Sequence, residues 1–373
     1  MGNALLIGWR IPTPERDGSS LRTITLLRAL RRLGYAVTHA SDMPESYPPH
    51  NETLPEDTAA VAALGVVAHP GAALDYLMER GQEVDLLLFT GGIPLLRRYL
   101  PAMRRLAPRA TIIFDTVDLH FVRQFRQART TRNARTLARA VATKAEEFAA
   151  ARAVDCTLVV SPTERELLAQ ECPDANVALV TDAHAVRADP PPFAGRRGFF
   201  FVGAYDFLPN IDAVDYYIAT IRPLVLERLP GAHFTAIGSA APPEMLAREA
   251  AGVTIAGHIP DLAPWFEHAR LSIAPLRYGA GVKGKVLRSL GQGLPVVATT
   301  IAAEGLHVTH GENILIADEP AAFADAIATL HDDADLWARL SAGGRAVVAE
   351  HFSFDTVCAQ LATALAGATA SVR

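Results

Sequence analysis

The sequence is poor in lysine and cysteine, and it has no long hydrophobic run. Lysine occurs only three times among the 35 basic residues of this 373-residue chain. The three cysteines are far apart and show neither metal nor redox spacing, which favours a reducing cytoplasm over a disulfide-stapled class. No apolar run reaches the ~20 residues that span a bilayer. The N-terminus has the pattern of a buried strand and not of a signal peptide.

The overall composition is that of a globular protein with a slight acidic excess. Half of the residues are hydrophobic, a fifth are charged, and the formal net charge is −5. This composition allows sizeable cores and excludes wholesale disorder. The acidic balance argues against a nucleic-acid partner, which would call for a basic domain or face. The length predicts two domains.

Short apolar runs alternate with amphipathic stretches along the whole chain, which predicts α/β architecture with parallel sheets. The predicted strands are residues 4–8, 35–40, 85–90, 111–115, 156–161, 199–203, 233–238, 253–256, 271–275, 294–298 and 313–317. The predicted helices include residues 20–33, 212–229, 282–292 and about 353–365. A proline- and glycine-rich segment at 184–198 is the best linker. We therefore predict two doubly wound domains, 1–187 and 188–352, and a terminal helical segment, 353–373.

A glycine-rich loop over residues 275–285 follows a predicted strand and opens a predicted helix. It contains Lys283 and Lys285, two of the three lysines. No acidic residue occurs between Glu267 and Glu304, whereas five basic residues do. Glycine backbone at a helix N-terminus, together with cations, is suited to phosphate. The alternative is a glycine turn with a solvated basic face.

An ATPase P-loop is the first phosphate chemistry to consider, because Gly279 to Lys285 matches G-x-x-x-x-G-K. The next residue is Val286, where a P-loop needs serine or threonine for magnesium. The motif also lies late in the chain. A P-loop NTPase is therefore the weaker alternative.

The second half of the chain resembles glycosyltransferase family 4, the retaining nucleotide-sugar enzymes. The matching stretches are FVG (201–203), PNIDAV (209–214), GHIPDL (257–262), APLRYGAGVKGK (274–285), GLPVVA (293–298) and AEGL (303–306). The first half matches more weakly, through PERDGSSLR (14–22) and DTVDLH (115–120). The resemblance implies the α/β GT-B fold. In that fold two Rossmann-like domains face a central cleft, and the C-terminal helix crosses back to the N-terminal domain.

The resemblance also implies which residues bind the donor, a nucleotide diphosphate sugar. The diphosphate would be held by Lys283 and Lys285 with Arg277 nearby, on the loop that contains Gly281. The other implied donor contacts are Gly203 at the phosphates, the loop of Ile259 at the base and Glu304 at the sugar or ribose. No metal ion or cofactor is implied, because side chains and a helix dipole replace the cation.

The acceptor, a glycan or a lipid-linked glycan, is expected in the N-terminal domain. Gly18 and Ser19 would form a loop against the phosphates and the acceptor. His120 would contact a donor hydroxyl. Lys285 is expected to stabilise the leaving group, and Asp118 is the better general base by residue type, although a leaving phosphate oxygen could take that proton. Alternatively, His120 is an ordinary loop histidine, and Asp115 and Asp118 cap the following helix.

One departure from the family concerns two glutamates, the second of which accepts hydrogen bonds from ribose. That position is Arg288 here, and arginine has no acceptor lone pair. Either Glu304 binds the ribose, or Arg288 meets a different donor group, or the chain is a non-catalytic relative that binds a nucleotide sugar or glycan. The leading hypothesis is a metal-independent hexosyltransferase of cell-surface polysaccharide biosynthesis.

A second basic feature is an arginine series in the first half. Its members are Arg123, Arg126, Arg129, Arg132, Arg135 and Arg139. A three-residue step drifts around an α-helix by ~60°, so a solvated helix is one interpretation. The other is contact with an anionic membrane or a lipid phosphate. The expected location is therefore the cytoplasm, with peripheral contact at the inner membrane face under the second interpretation.

Overall fold

The structure is a computed structural model that describes residues 2–13, 18–41, 55–90 and 92–371. The chain forms two compact units. The first contains Met1–Phe121, Ala138–Ala183 and Phe354–Arg373, and the second contains Val122–Leu137 and His184–Ser353.

The first unit is built on a parallel sheet, which has seven strands within the described ranges. They are β1 (Asn3–Gly8), β2 (Ala36–Ser41), β3 (Val67–Ala68), β4 (Leu86–Phe89), β5 (Thr111–Asp115), β6 (Cys156–Val159) and β7 (Val177–Leu179). Their order is β3-β2-β1-β4-β5-β6-β7, and each neighbouring pair is parallel. The central strands are buried throughout, as a sheet covered on both faces requires.

Helices cover both faces of this sheet. They are α1 (Gly18–Arg32), α2 (Pro55–Ala63), α3 (Ala73–Arg80), α4 (Ile93–Leu106), α6 (Ala134–Ala153), α7 (Pro162–Glu171) and α16 (Phe354–Ser371). Helix α5 (His120–Thr131) begins in this unit, and its residues from Val122 onward belong to the second unit. Side chains alternate between the faces of a strand. In β1, Leu6 packs in one core with Leu26 and Leu30 of α1, whereas Leu5 and Ile7 pack in the opposite core.

The terminal helix α16 packs on α1 in the first unit, as predicted. Val357 and Leu361 lie fully buried in the same core as Leu30. The Gln360 side chain accepts a hydrogen bond from the backbone N–H of Thr181 at 2.8 Å. The helix therefore returns to the unit that contains the N-terminus.

The second unit contains a parallel sheet of the order β10-β9-β8-β11-β12-β13. The strands are β8 (Phe199–Val202), β9 (Phe234–Ile237), β10 (Val253–Ala256), β11 (Leu271–Ala274), β12 (Val296–Ala298) and β13 (Leu315–Ile316). The helices are α8 (Leu208–Tyr216), α9 (Arg222–Arg228), α10 (Pro243–Leu246), α11 (Ala263–His268), α12 (Gly284–Gly291), α13 (Thr300–Ala303), α14 (Pro320–Asp332) and α15 (Ala334–His351).

Three differences from the predicted elements have local causes. The predicted helix 212–229 begins earlier, at Leu208, and a π-helical turn at Tyr217–Ile221 separates α8 from α9. Helix α12 begins two residues later than predicted, because Lys283 has a ψ of +86°, outside the helical region. The edge strands β3 and β7 were not predicted, since strands of two and three residues carry no periodic signal.

Truncation of a buried side chain in α16 should destabilise the first unit. Leu361→Ala removes a fully buried side chain, and such changes cost about 2–5 kcal/mol. Urea unfolding followed by circular dichroism should show the transition of the first unit at lower denaturant. Thr363→Ala, on the exposed face of the same helix, is the control and should leave the midpoint nearly unchanged. Equal midpoints for both variants would contradict this packing.

Candidate functional site

The glycine-rich loop lies at the carboxyl end of β11 and leads into α12. Lys283 immediately precedes the helix and is buried, and its ammonium donates to the Gly281 carbonyl at 2.6 Å. A Cβ at Gly279 would lie 3.3 Å from Cε of Lys283. The loop therefore folds around the Lys283 side chain, and the absence of a Cβ at Gly279 leaves space for that side chain.

Lys285 is held in a separate environment one residue into α12. Its ammonium donates to Oδ1 of Asn210 at 2.5 Å and lies 4.9 Å from the centre of the Phe201 ring. Burial, together with the nearby charge of Lys283, lowers the pKa of Lys285 to about 7. This amine is therefore poised between its charged and neutral forms near neutral pH.

Gly203 and Asn210 fit together next to this lysine. Gly203 directly follows β8, and a Cβ there would lie 2.6 Å from the side chain of Asn210. The Asn210 amide donates to the carbonyl of Ala204 at 2.7 Å, which turns its oxygen toward Lys285. Glycine is therefore required at position 203 because the Asn210 side chain occupies the space that a Cβ would need.

Arg277 is paired inside the second unit. Its guanidinium donates to both carboxylate oxygens of Asp212, with Nε 2.9 Å from Oδ2, and stacks 4.9 Å from the Tyr216 ring. The hydrogen bond to Asp212 raises the pKa of Arg277. Helix α8 therefore supplies a partner to both Lys285 and Arg277.

Glu304 has a partner that the sequence did not indicate. Arg126 forms a two-pronged ion pair with it, at 2.7 Å for each oxygen, and also donates to the carbonyl of Gly279 at 2.8 Å. Burial alone would raise the pKa of Glu304, but the hydrogen bonds and charge of Arg126, with the charge of Lys283, lower it. The carboxylate is held ionised beside the glycine loop.

The arginine series is therefore not uniformly solvated. Arg123 and Arg126 are partly buried, and Arg123 stacks 4.9 Å from the Phe207 ring. The last four members, Arg129, Arg132, Arg135 and Arg139, are exposed.

Arg288 and Ile259 flank an aromatic cluster in the second unit. The Arg288 guanidinium lies 5.4 Å from the Phe266 ring. Ile259 is half-buried against the core that contains Phe200 and Phe266. The preceding residues Gly257 and His258 are exposed.

In the first unit, the structure brings Asp118 and His120 together. Nε2 of His120 lies 3.0 Å from Oδ1 of Asp118, and the histidine is 43% exposed. Gly18 and Ser19 are exposed at the start of α1. Residues 14–17 of the predicted loop lie outside the described part of the chain.

Asp115 does not present its carboxylate to the following helix as proposed in the capping alternative. It is buried in an ion pair with Arg22, whose Nη2 lies 2.6 Å from Oδ1, and Arg22 also contacts Asp182 at 3.1 Å. Burial disfavours the charge of Arg22, but the two carboxylates raise its pKa overall. Through these ion pairs Arg22 links α1 to Asp115 at the end of β5 and to Asp182, which follows β7.

Three residues that shape these sites are not among the predicted site residues, namely Arg22, Arg126 and Asn210. Arg22 and Asn210 lie in stretches that match the family and could have been found there. Arg126 carries no local signal, because its partner Glu304 is distant in sequence.

Neither a metal site nor a membrane span is found in the described residues. No group of three or more His, Cys, Asp or Glu side chains there is arranged to hold a metal ion. No helix there has both the length and the apolar composition needed to cross a bilayer. The three cysteines are buried and free.

Two comparisons with solved structures show the fold. Over its full length the chain is similar to sucrose-phosphate synthase from Thermosynechococcus elongatus, with a TM-score of 0.69, 16% identity and 100% of each chain covered. It is also similar to Anabaena HepE solved with UDP and glucose, with a TM-score of 0.69, 14% identity and coverage of 98% of this chain and 100% of that one. The GT-B fold is thereby confirmed.

Residues 196–333 match the family described as glycosyl transferases group 1. The predicted resemblance to glycosyltransferase family 4 is therefore confirmed. An uncharacterized 44.6 kDa protein in the cps region of Klebsiella pneumoniae is 28% identical over 133 residues. That match covers 33% of this chain and 34% of the relative, so it spans about a third of the relative's length.

Anion binding at the lysine loop should take up a proton. A bound diphosphate raises the pKa of Lys285 from about 7, so more of the amine is charged in the complex. Affinity for a nucleoside diphosphate should then weaken as pH rises from 7.5 to 9, by up to about tenfold per unit. Calorimetry in buffers of different ionisation enthalpy measures the uptake directly. Lys285→Met should abolish this component and Lys144→Met should keep it. Equal uptake in both variants would show that another group titrates.

Proposed function

We propose that this protein is a retaining glycosyltransferase that moves a sugar from a nucleotide diphosphate sugar to a glycan or glycolipid acceptor. The observation that carries the proposal is the pair of lysines at the start of α12, one bound to the Gly281 carbonyl and the other to Asn210. The Gly281 carbonyl and the Asn210 side chain are neutral acceptors, which an anion can replace. HepE, a structural neighbour, was solved with UDP-glucose, and this supports a donor of that class.

In the proposed reaction, the protein stabilises the negative charge that builds on the leaving diphosphate. The donor phosphates replace Asn210 and the Gly281 carbonyl as partners of Lys285 and Lys283. The N-terminus of α12 adds a partial positive charge. Such preorganised donors act most strongly where water is excluded. We propose that the reaction needs no metal ion and that the transferred sugar is a hexose.

The remaining donor contacts follow from the residues around the loop. Gly203 lets the backbone approach the phosphates, Ile259 borders the base, and Arg277 adds a cation at the diphosphate. Glu304 accepts a hydrogen bond from the sugar or ribose when one of its two hydrogen bonds from Arg126 is given up to the ligand. Arg288 replaces the ribose-binding glutamate of the family and meets another donor group.

On the acceptor side, we propose that His120 contacts a donor hydroxyl and that Gly18 and Ser19 border the phosphates and acceptor. Asp118 is the candidate general base, and a leaving phosphate oxygen is the alternative proton acceptor. The 3.0 Å contact between Asp118 and His120 supports a shared role for the two side chains.

We assign the protein to cell-surface polysaccharide biosynthesis in the cytoplasm. The K. pneumoniae relative is described as a protein in the cps region, which favours this process. A P-loop NTPase is disfavoured because Val286 is buried in the core of the second unit and offers no hydroxyl to magnesium.

A donor panel tests the proposal. Thermal shifts with UDP-, GDP-, ADP- and TDP-sugars identify the donor, since a ligand at 100 times its Kd adds ~2.7 kcal/mol of stability. Donor turnover is then measured with and without glycan extracts, in EDTA and in magnesium. Binding without turnover would indicate the non-catalytic relative, and magnesium-dependent ATP hydrolysis would indicate the NTPase.

Removal of the Lys285 ammonium should slow turnover. Loss of one preorganised donor to a developing oxyanion typically costs ~10²–10³ in kcat, so Lys285→Ala should lose about that factor. Lys144→Ala, which removes the lysine outside the loop, should retain kcat. A Lys285→Ala enzyme with nearly normal turnover would exclude this residue as the main stabiliser of the leaving group.

A second proposal concerns the exposed arginines. Arg129, Arg132, Arg135 and Arg139 accompany Leu137 and Val141 of α6, which are 48% and 57% exposed. Leu137 and Val141 are four residues apart and share one helix face. Cations beside exposed apolar side chains fit an anionic membrane surface, where each basic residue contributes about 1 kcal/mol.

Vesicle flotation distinguishes membrane contact from a solvated helix. The protein should float with phosphatidylglycerol vesicles at low salt, and raising the salt concentration should release it. Replacing Arg135 and Arg139 by glutamine should weaken flotation by at least tenfold. The same replacement at Arg104, in α4, and at Arg109, which follows α4, should not. Flotation that changes neither with salt concentration nor with the replacement of Arg135 and Arg139 would exclude this contact.

A further inference from the structure

The segment between β5 and α5 carries Asp118 and His120 on a strained backbone. Val117 has φ of +62°, in the left-handed region that β-branched residues rarely adopt. Such a conformation is unfavourable and persists only where surrounding contacts enforce it.

Two buried glutamates from other helices hold the start of α5. Glu164 accepts from the backbone N–H of Leu119 at 3.0 Å. Glu147 accepts from the N–H of His120 at 2.8 Å and from that of Phe121 at 3.1 Å, with one oxygen each. Three successive amides are thus bound by two carboxylates, which are 5% and 4% exposed. We call Glu147 and Glu164 the glutamate clamp.

The clamp supplies hydrogen-bond acceptors to the start of α5 from other helices. The first amides of a helix have no intrahelical acceptor, and an aspartate just before the helix commonly supplies one. Here the acceptors come from α6 and α7. The Asp118 carboxylate instead lies 3.0 Å from Nε2 of His120.

The position of each glutamate is itself fixed. Glu164 lies in the first turn of α7, where Ser161 caps its N–H at 3.2 Å and contacts its carboxylate at 3.3 Å. Glu147 lies in the long helix α6, whose buried face includes Phe148 and Ala151. Helices α6 and α7 therefore fix the positions of the backbone amides of residues 119–121 through these two glutamates.

We propose that the glutamate clamp positions Asp118 and His120 for sugar transfer, as a pair of positioning residues that touch neither substrate. This inference rests on the proposed function, in which His120 contacts the donor. Without the clamp, residues 119–121 lose acceptors for three amides, and Val117 can relax out of its left-handed conformation. The carboxylate and imidazole would then occupy a range of positions instead of one.

The test uses Glu147→Gln in the full-length chain, with Glu146→Gln as the matched control. Glu146 is the neighbouring glutamate, and its side chain is exposed and pairs with Arg97. Glutamine keeps the shape of Glu147 but offers one acceptor oxygen where two amides need one each. We expect kcat to fall at least tenfold while Kd for a nucleoside diphosphate stays within twofold. The Glu146→Gln enzyme should match the unaltered one in both quantities.

A second measurement does not depend on activity. Hydrogen exchange at the amides of His120 and Phe121 should be at least tenfold faster in Glu147→Gln than in Glu146→Gln. Unchanged exchange, or faster exchange with unchanged kcat, would overturn the proposal. If the glutamine variant does not fold, Glu147→Asp keeps the charge with a shorter reach, and the same outcomes apply.

A different pair of variants tests the proposed function independently of the glutamate clamp. His120→Ala and Asp118→Ala enzymes with normal turnover would remove the catalytic role of the pair. In that case the exchange result still reports whether the clamp orders residues 119–121.

Discussion

The hydrogen bond between the Lys285 ammonium and Asn210 is the interaction on which the candidate site depends. An ammonium that is largely removed from water needs a hydrogen-bond acceptor, and Oδ1 of Asn210 lies 2.5 Å from the Lys285 ammonium. Asn210 can reach that position only because residue 203 lacks a Cβ. A glycine, an amide and a lysine from three separate elements are thus mutually required. Their common result is an amine whose charge depends on what binds beside it.

The other cations of the second unit follow the same pattern of internal pairing. Lys283 is held by the Gly281 carbonyl, and Arg277 is held by Asp212. Each cation is therefore oriented before any ligand arrives, which reduces the entropy lost on binding. In the first unit the pattern is reversed, because buried carboxylates are held by backbone amides at the start of α5. In both units, hydrogen bonds within the protein fix the position of these charged groups.

Sequence reasoning found the elements of the fold and the loop that carries the lysines, because both depend on local patterns. Buried parallel strands appear as continuous apolar runs, and a glycine loop before a helix is visible in a dozen residues. The pairings that complete the sites are not local. Arg126 and Glu304 are 178 residues apart, and Lys285 and Asn210 are 75 apart. In the sequence Arg126 is one member of a helical series, and no periodicity distinguishes the arginine that pairs with a partly buried carboxylate from those that remain exposed.

The ion pair between Glu304 and Arg126 affects how a donor would be recognised in the proposed function. Ribose hydroxyls are best bound by a carboxylate, but the family position holds Arg288, which cannot accept a hydrogen bond. Both oxygens of Glu304 are already bound by Arg126. A ribose contact at Glu304 must therefore compete with a two-pronged ion pair. Phosphates at the lysines would displace Asn210 from Lys285 and the Gly281 carbonyl from Lys283. Donor affinity should accordingly derive mainly from the diphosphate, because charge-assisted bonds to phosphate replace bonds to these neutral acceptors, whereas bonds to ribose would replace an ion pair.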